Sequence, residues 1–126
     1  MDLYDVFAKH GTKDPFCISD CPPGWIPLVD RCFGALRFLG WDGTVSQVKE
    51  KFGGLRLYLD HIDPDWKGPF MDGPMQLIMS YMESQSYRTC QDCGITGAKH
   101  RCDGWYRTTC RKCESARSWA RNKRIA

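Results

Sequence analysis

Apolar residues along this chain recur first with a helical period, then with a period of two, then helically again. Over residues 24–39, Trp25, Leu28, Val29, Cys32, Leu36 and Leu39 return at steps of three and four, with Asp30, Arg31 and Arg37 between them. That spacing predicts an amphipathic helix. Pro27 falls in its first turn, where a missing N–H costs little, and Gly40 closes it. Over 55–60, Leu55, Leu57 and Leu59 alternate with Arg56, Tyr58 and Asp60, the mark of a strand with one buried face. The preceding segment, 44–52, puts Val48 and Phe52 on that same buried face, and Gly53-Gly54 supplies the positive φ angles of a tight hairpin turn. A second helix is expected from an N-cap at Asp72 to about Ser86, with Pro74 in its first turn. Met75, Ile78, Met82 and Gln85 follow one face, and Leu77 and Tyr81 lie beside it. Two helices packed on one face of a small antiparallel hairpin make an α+β unit.

The flanks are less regular. Leu3, Tyr4, Val6 and Phe7 form one apolar turn that Gly11, Asp14 and Pro15 end, giving a short helix or arm. Pro64, Gly68, Pro69, Gly73 and Pro74 make 61–74 a connector. The acidic cluster of Asp60, His61, Asp63 and Asp65 reads as turn chemistry before it reads as a cation site.

Length and composition then bound the picture. With 126 residues, 42% of them hydrophobic, the chain holds one core with an attached module, not two full cores. No apolar run approaches the ~20 residues of a membrane span, and Met-Asp-Leu-Tyr-Asp does not open a signal peptide. A soluble, cytoplasmic protein with reduced thiols is expected, although it carries eight cysteines. The net charge of +3 is unevenly spread. Residues 1–87 carry 8 Lys or Arg against 12 Asp or Glu, whereas 88–126 carry 10 against 3. The chain therefore divides into an α+β unit (1–87) and a basic zinc-finger module (88–126).

In that second unit Cys90, Cys93, Cys110 and Cys113 form a C-x2-C-x16-C-x2-C pattern, which fits one structural, four-thiolate zinc ion. Gly94 suits a knuckle turn after the first pair. Gly97 and Asp103-Gly104 are turn points of a hairpin, with Trp105 and Tyr106 on its return strand. The second pair opens a helix running to about Arg124, on which Ala116, Trp119 and Ala120 can pack against the hairpin. Knuckle, hairpin and helix resemble a treble-clef finger; a zinc ribbon is the alternative. His100 and Cys102 lie between the pairs as substitute ligands. Cys17 and Cys21, completed by His10, Cys32 or His61, would be half of a second metal site, but their spacing is irregular and buried free thiols are ordinary apolar residues.

Four thiolates close a zinc site, so the metal is expected to be structural and the protein not an enzyme. His100-Arg101-Cys102 lacks the Glu of the zinc deaminases, and the module offers one histidine where a treble-clef nuclease needs a pair. Arg117, Arg121 and Arg124 form a basic stripe on the terminal helix, and Arg101, Arg107, Arg111 and Lys112 add charge nearby. These are candidate contacts to nucleic acid or to another partner.

Three stretches carry a resemblance: Gly24-Trp25 opening a helix, the run from Val48 to Arg56 that reads VKEKFGGLR, and Glu83-Ser84 through Ser86 leading into Thr89-Cys90-x-x-Cys93-Gly94. Together they resemble small phage and prophage proteins with a C-terminal zinc finger. The resemblance covers 24–113 and implies viral origin and a four-cysteine site, with no activity attached. Cys17, Cys21, Cys32 and Cys102 depart from that pattern. The expected function is that of a zinc-stabilised phage accessory protein that binds a host protein, such as a defence or transcription component, and alters its action. A nucleic-acid-binding finger is the alternative, and a virion or assembly component the third reading. No membrane and no small-molecule substrate are expected as partners.

Overall fold

The computed structural model describes residues 1–12, 19–59 and 73–125, with the backbone alone over 121–125. The expectations placed on Cys17, Asp60, His61, Asp63, Asp65 and Asp72, and on most of the 61–74 connector, lie outside these residues. The side chains of Arg121 and Arg124 do so as well.

The short apolar turn at the start is a helix, α1 (Leu3–Lys9). Asp2 accepts from the Asp5 N–H while the Asp5 carboxylate accepts from the Asp2 N–H, both at 2.8 Å, so two of the helix's orphan donors are satisfied reciprocally. Leu3, Val6 and Phe7 bury, and Phe7 stacks on Phe33 of α2 (Ile26–Phe38) at 6.0 Å between centroids. The end of α1 is tied down by Asp30, which receives His10 at 2.6 Å and Lys9 at 3.1 Å. The His10 hydrogen bond is the chief reason that the Asp30 carboxyl sits below its ordinary range.

Helix α2 begins two residues later than its periodicity suggests, because Pro23–Trp25 form a 3-10 turn ahead of it. Its stripe is deeper than expected, since Phe33 is fully buried beside Leu28, Val29, Cys32 and Leu36. Leu39, placed on that stripe by its spacing, stands outside the helix and is 40% exposed. Gly40, at φ +95°, then turns the chain and brings Trp41 back onto Phe33.

The hairpin consists of β2 (Gln47–Lys51) and β3 (Gly54–Tyr58), antiparallel, with Val48 opposite Leu57 and Lys51 opposite Gly54. A two-residue strand, β1 (Ser19–Asp20), pairs parallel to β2 and makes the sheet three-stranded. Leu55, Leu57 and Leu59 bury as their alternation predicts. Phe52 does not. The register puts Phe52 and Gly53, not the two glycines, at the turn, with φ +55° and +78°. These are the positive angles of a two-residue type I′ turn. Phe52 is thus a non-glycine residue in left-handed backbone, at a cost of about 1–2 kcal/mol, and its ring is 57% exposed. Gly54 is needed for another reason: a Cβ there would meet the Tyr87 ring at 2.5 Å.

Helix α3 (Gly73–Ser86) packs against α2 and β3, burying Met79 and Met82 and leaving Leu77 and Tyr81 exposed. The Ser86 hydroxyl accepts from the Leu55 N–H at 2.9 Å and donates to the Glu83 carbonyl, which fixes the end of α3 on the sheet. No helix among the described residues is long and apolar enough to cross a membrane.

The C-terminal part is a cysteine-bearing turn at 90–94, a hairpin of β4 (Lys99–Arg101) and β5 (Arg107–Thr109), and α4 (Arg111–Ile125). Trp105 and Tyr106 sit in the β4–β5 connection, not on the return strand, because pairing starts only at Arg107. Ala116, Trp119 and Ala120 are not buried against the hairpin: all three are exposed, Trp119 at 65%.

Gly24 is where the two parts come closest. Its N–H donates to the Gln91 carbonyl at 2.8 Å, and a Cβ there would lie 2.0 Å from the Cys90 carbonyl oxygen and 2.7 Å from the Gly94 nitrogen. Beside it the buried Trp25 indole donates to the Thr89 carbonyl at 2.8 Å. The three atoms nearest a Gly24 methyl are all backbone, so relief cannot come from a side chain swinging aside. Gly24→Ala should therefore destabilise by about 4 kcal/mol or more, beyond an ordinary point mutant, with a large fall in melting temperature. Gly34→Ala, whose methyl would meet only a His10 ring carbon at 3.7 Å, should melt close to the parent. Equal melting of the two variants would contradict the contact.

Candidate metal centre

The cysteine turn is built by backbone geometry. Gly94 at φ +84° lets its N–H return to the Cys90 carbonyl at 2.8 Å, and Cys90 N–H donates to the Ile95 carbonyl at 2.9 Å. An antiparallel bridge between Thr89 and Thr96 closes the loop. The second pair arrives at the start of α4, with Cys110 just before the helix and Cys113 in its first turn. Cys113 N–H donates to Cys110 Sγ at 3.4 Å.

These elements bring the four Sγ atoms of Cys90, Cys93, Cys110 and Cys113 within 4.8 Å of one another, with Cys93 and Cys110 at 3.8 Å. Tetrahedral thiolates at metal–sulfur distances of about 2.3 Å stand about 3.8 Å apart, so the cluster can hold a metal ion after only slight contraction. The electrostatics agree with that use. Burial works to raise the Cys90 thiol, but N–H groups of Cys110, Cys93 and Asp92 aimed at the sulfur outweigh it and bring it down to about 7. Cys113 goes the other way, pushed well above the ordinary thiol range by burial and then by its hydrogen bonds with the other three cysteines. Four thiols so close cannot all ionise until a cation relieves their repulsion.

Among the described residues this is the one such cluster. His100 and Cys102 stay outside it: His100 Nδ1 pairs with the Thr108 hydroxyl at 3.1 Å, and Cys102 is an exposed thiol. Cys21 and Cys32 join no group, and burial pushes both thiols up to about 12, as apolar packing residues.

The candidate basic residues divide. Arg107 is 3% exposed and grips Glu114 with two nitrogens, Nε at 2.8 Å, while Nη1 reaches Asp103 at 3.0 Å. Glu114 also receives the Thr109 hydroxyl at 3.0 Å, and Arg101 lies 3.8 Å away. Chiefly through the Arg107 hydrogen bond, the Glu114 carboxyl is held at about 2. Arg117 makes a bidentate pair with Asp92, both bonds at 2.6 Å, which straps α4 to the cysteine turn. Arg111 and Lys112 are exposed. Asp92 and Glu114 thus organise the centre, and only their places beside Cys93 and Cys113 hinted at it. Comparison of the chain with family models, with curated proteins and with solved structures gave no match.

Removing one partner of a buried ion pair leaves the other uncompensated. Glu114→Ala should cost about 3 kcal/mol by denaturant unfolding of the metal-loaded protein. Replacing the exposed Lys112 by Ala should stay within about 0.5 kcal/mol. A Glu114 variant as stable as the Lys112 variant would show that Asp103 and the Trp105 carbonyl suffice to compensate Arg107.

Proposed function

We propose that this protein is a non-enzymatic, zinc-stabilised accessory protein of phage type that acts in the host cytoplasm by binding a host protein. Paired thiolates on a turn and on a helix N-terminus favour zinc in a treble-clef-type arrangement, and four sulfurs fill a tetrahedral shell with no position left for a substrate. The observation that carries the choice of partner is how the metal-held part uses its side chains. Arg101, Arg107 and Arg117 spend their charge on Glu114, Asp103 and Asp92, while Ile95, Trp105 and Trp119 stand exposed. Tryptophan is enriched at protein interfaces and among their energetic hot spots. A phosphate-tracking stripe would instead keep its arginines unpaired. The phage assignment rests on the VKEKFGGLR run and the other two stretches that resemble phage proteins.

Structural zinc contributes about 10–16 kcal/mol of apparent binding energy, as much as the whole net stability of a domain. One zinc per folded chain is expected, and Cys90→Ser or Cys113→Ser should abolish it. Chelation should remove the cooperative melt; a chain that melts unchanged in chelator would refute the structural role.

The partner reading makes a separate demand. A host protein captured from nuclease-treated bacterial lysate should be lost with Trp105→Ala plus Trp119→Ala and kept with Arg111→Ala plus Lys112→Ala. The reverse pattern would transfer the role to the basic residues.

A further inference from the structure

The tip of the β2–β3 hairpin meets the β4–β5 hairpin in an aromatic cup of about 530 Å³, lined by Phe52, Arg56, Tyr87, His100 and Tyr106. That volume lies within the range of small-ligand sites. Its rings are mutually braced. Tyr106 and His100 are stacked, 18° from parallel at 6.2 Å; Phe52 stands edge-on to Tyr106 at 5.4 Å, and Tyr87 edge-on to His100 at 4.8 Å. The Thr108 hydroxyl donates its one hydrogen to the Gly53 carbonyl at 2.8 Å, so it accepts from His100 Nδ1–H. His100 is thereby fixed in orientation, and its Nε2 is left as a lone-pair acceptor in the neutral ring.

Three features of this cup answer no need of the fold. Phe52 occupies a left-handed turn position that suits Gly or Asn, yet its ring is mostly in water. Tyr106 ends the Tyr106–His100 stack with about half of its surface open. Arg56 Nε is buried with no hydrogen-bond partner among the described residues, although Nη1 reaches Glu83 at 3.1 Å. Lys51 stands at the rim, 5.6 Å from the Phe52 ring centre, while Arg56 is paired with Glu83 and Glu50 accepts from the Gly53 N–H at 2.6 Å.

Flat rings held ready to be extended by one more layer, an acceptor beside them and a lysine at the edge are the parts of a single-stranded nucleic-acid site. We infer that the cup binds an unpaired nucleobase, stacked on Tyr106 as the next layer of the Tyr106–His100 stack and walled by Phe52, with its phosphate near Lys51. This goes beyond the host-protein reading and does not depend on it. It also moves the nucleic-acid contact away from the terminal helix.

The test is fluorescence anisotropy of the zinc-loaded full chain with labelled thymidine and uridine strands of about ten nucleotides, competed by AMP, by UMP and by a blunt duplex. Saturable binding of a strand but not of duplex is expected. Tyr106→Ala should weaken it from about five-fold to over a hundred-fold, the range for losing one base–aromatic stack, and Phe52→Asn, which removes the wall beside the base, should weaken it by less. Phe52→Asn should melt at or above the parent temperature, so its loss of binding cannot be laid to unfolding. The logarithmic salt slope should be shallow, about −0.7 for one phosphate contact. Competition by AMP or UMP alone would identify a free nucleotide as a sufficient source of the base; competition by strands only would identify the polymer. No saturable binding of either, binding unchanged in both variants, or equal competition by duplex would each overturn the proposal. So would loss of a captured host protein, in place of strand binding, in these two variants.

Discussion

The structure depends on a contact between main chains at one residue without a side chain. Gly24 lies against the Cys90 carbonyl and the Gly94 nitrogen, and the hydrogen bonds of Gly24 and Trp25 to Gln91 and Thr89 fix the start of α2 on the cysteine turn. A second seam, where Thr108 donates to the Gly53 carbonyl, joins the two hairpins. Van der Waals exclusion at Gly24 is stricter than any hydrophobic preference, since a core tolerates a changed methyl but a backbone has nowhere to go. The metal cluster and the apolar core are thereby parts of one packing problem.

The three stretches that carried the family resemblance are the stretches that meet. Gly24-Trp25 sits on the cysteine turn, and the VKEKFGGLR hairpin presents Gly53 to β5, Gly54 to Tyr87 and Arg56 to Glu83. Their common purpose could not be read from a linear pattern, because each is needed at a place that exists only after folding. What was legible came from periodicity and spacing: α2, α3, the alternation in β3 and the paired cysteines. What escaped was set by register and by distant partners. Lys51 pairing with Gly54 forced Phe52 out of the core and into the turn. A strand as short as Ser19–Asp20 has no period to detect. Arg117 and Asp92, 25 residues apart, give no sign that they will form a bidentate pair.

That last pair corrects the meaning of the charge asymmetry. The C-terminal part is rich in arginine, but net charge counts residues and not their availability. Arg107 is a buried structural cation, and Arg117 a strap. Planar guanidinium groups make two directed bonds to one carboxylate, and a small unit with little apolar core can use that rigidity in place of packing.

The four sulfurs are unequally sheltered: Cys90 is fully buried, Cys110 and Cys113 are half-buried, and Cys93 is open to solvent. The centre therefore has a front and a back. Exchange of a bound ion, or attack by an oxidant or an electrophile, would have its approach at Cys93, whereas Cys90 lies on the sheltered side. How firmly an ion would be held is a matter for all four sulfurs, and where it would be approached a matter for the exposed one.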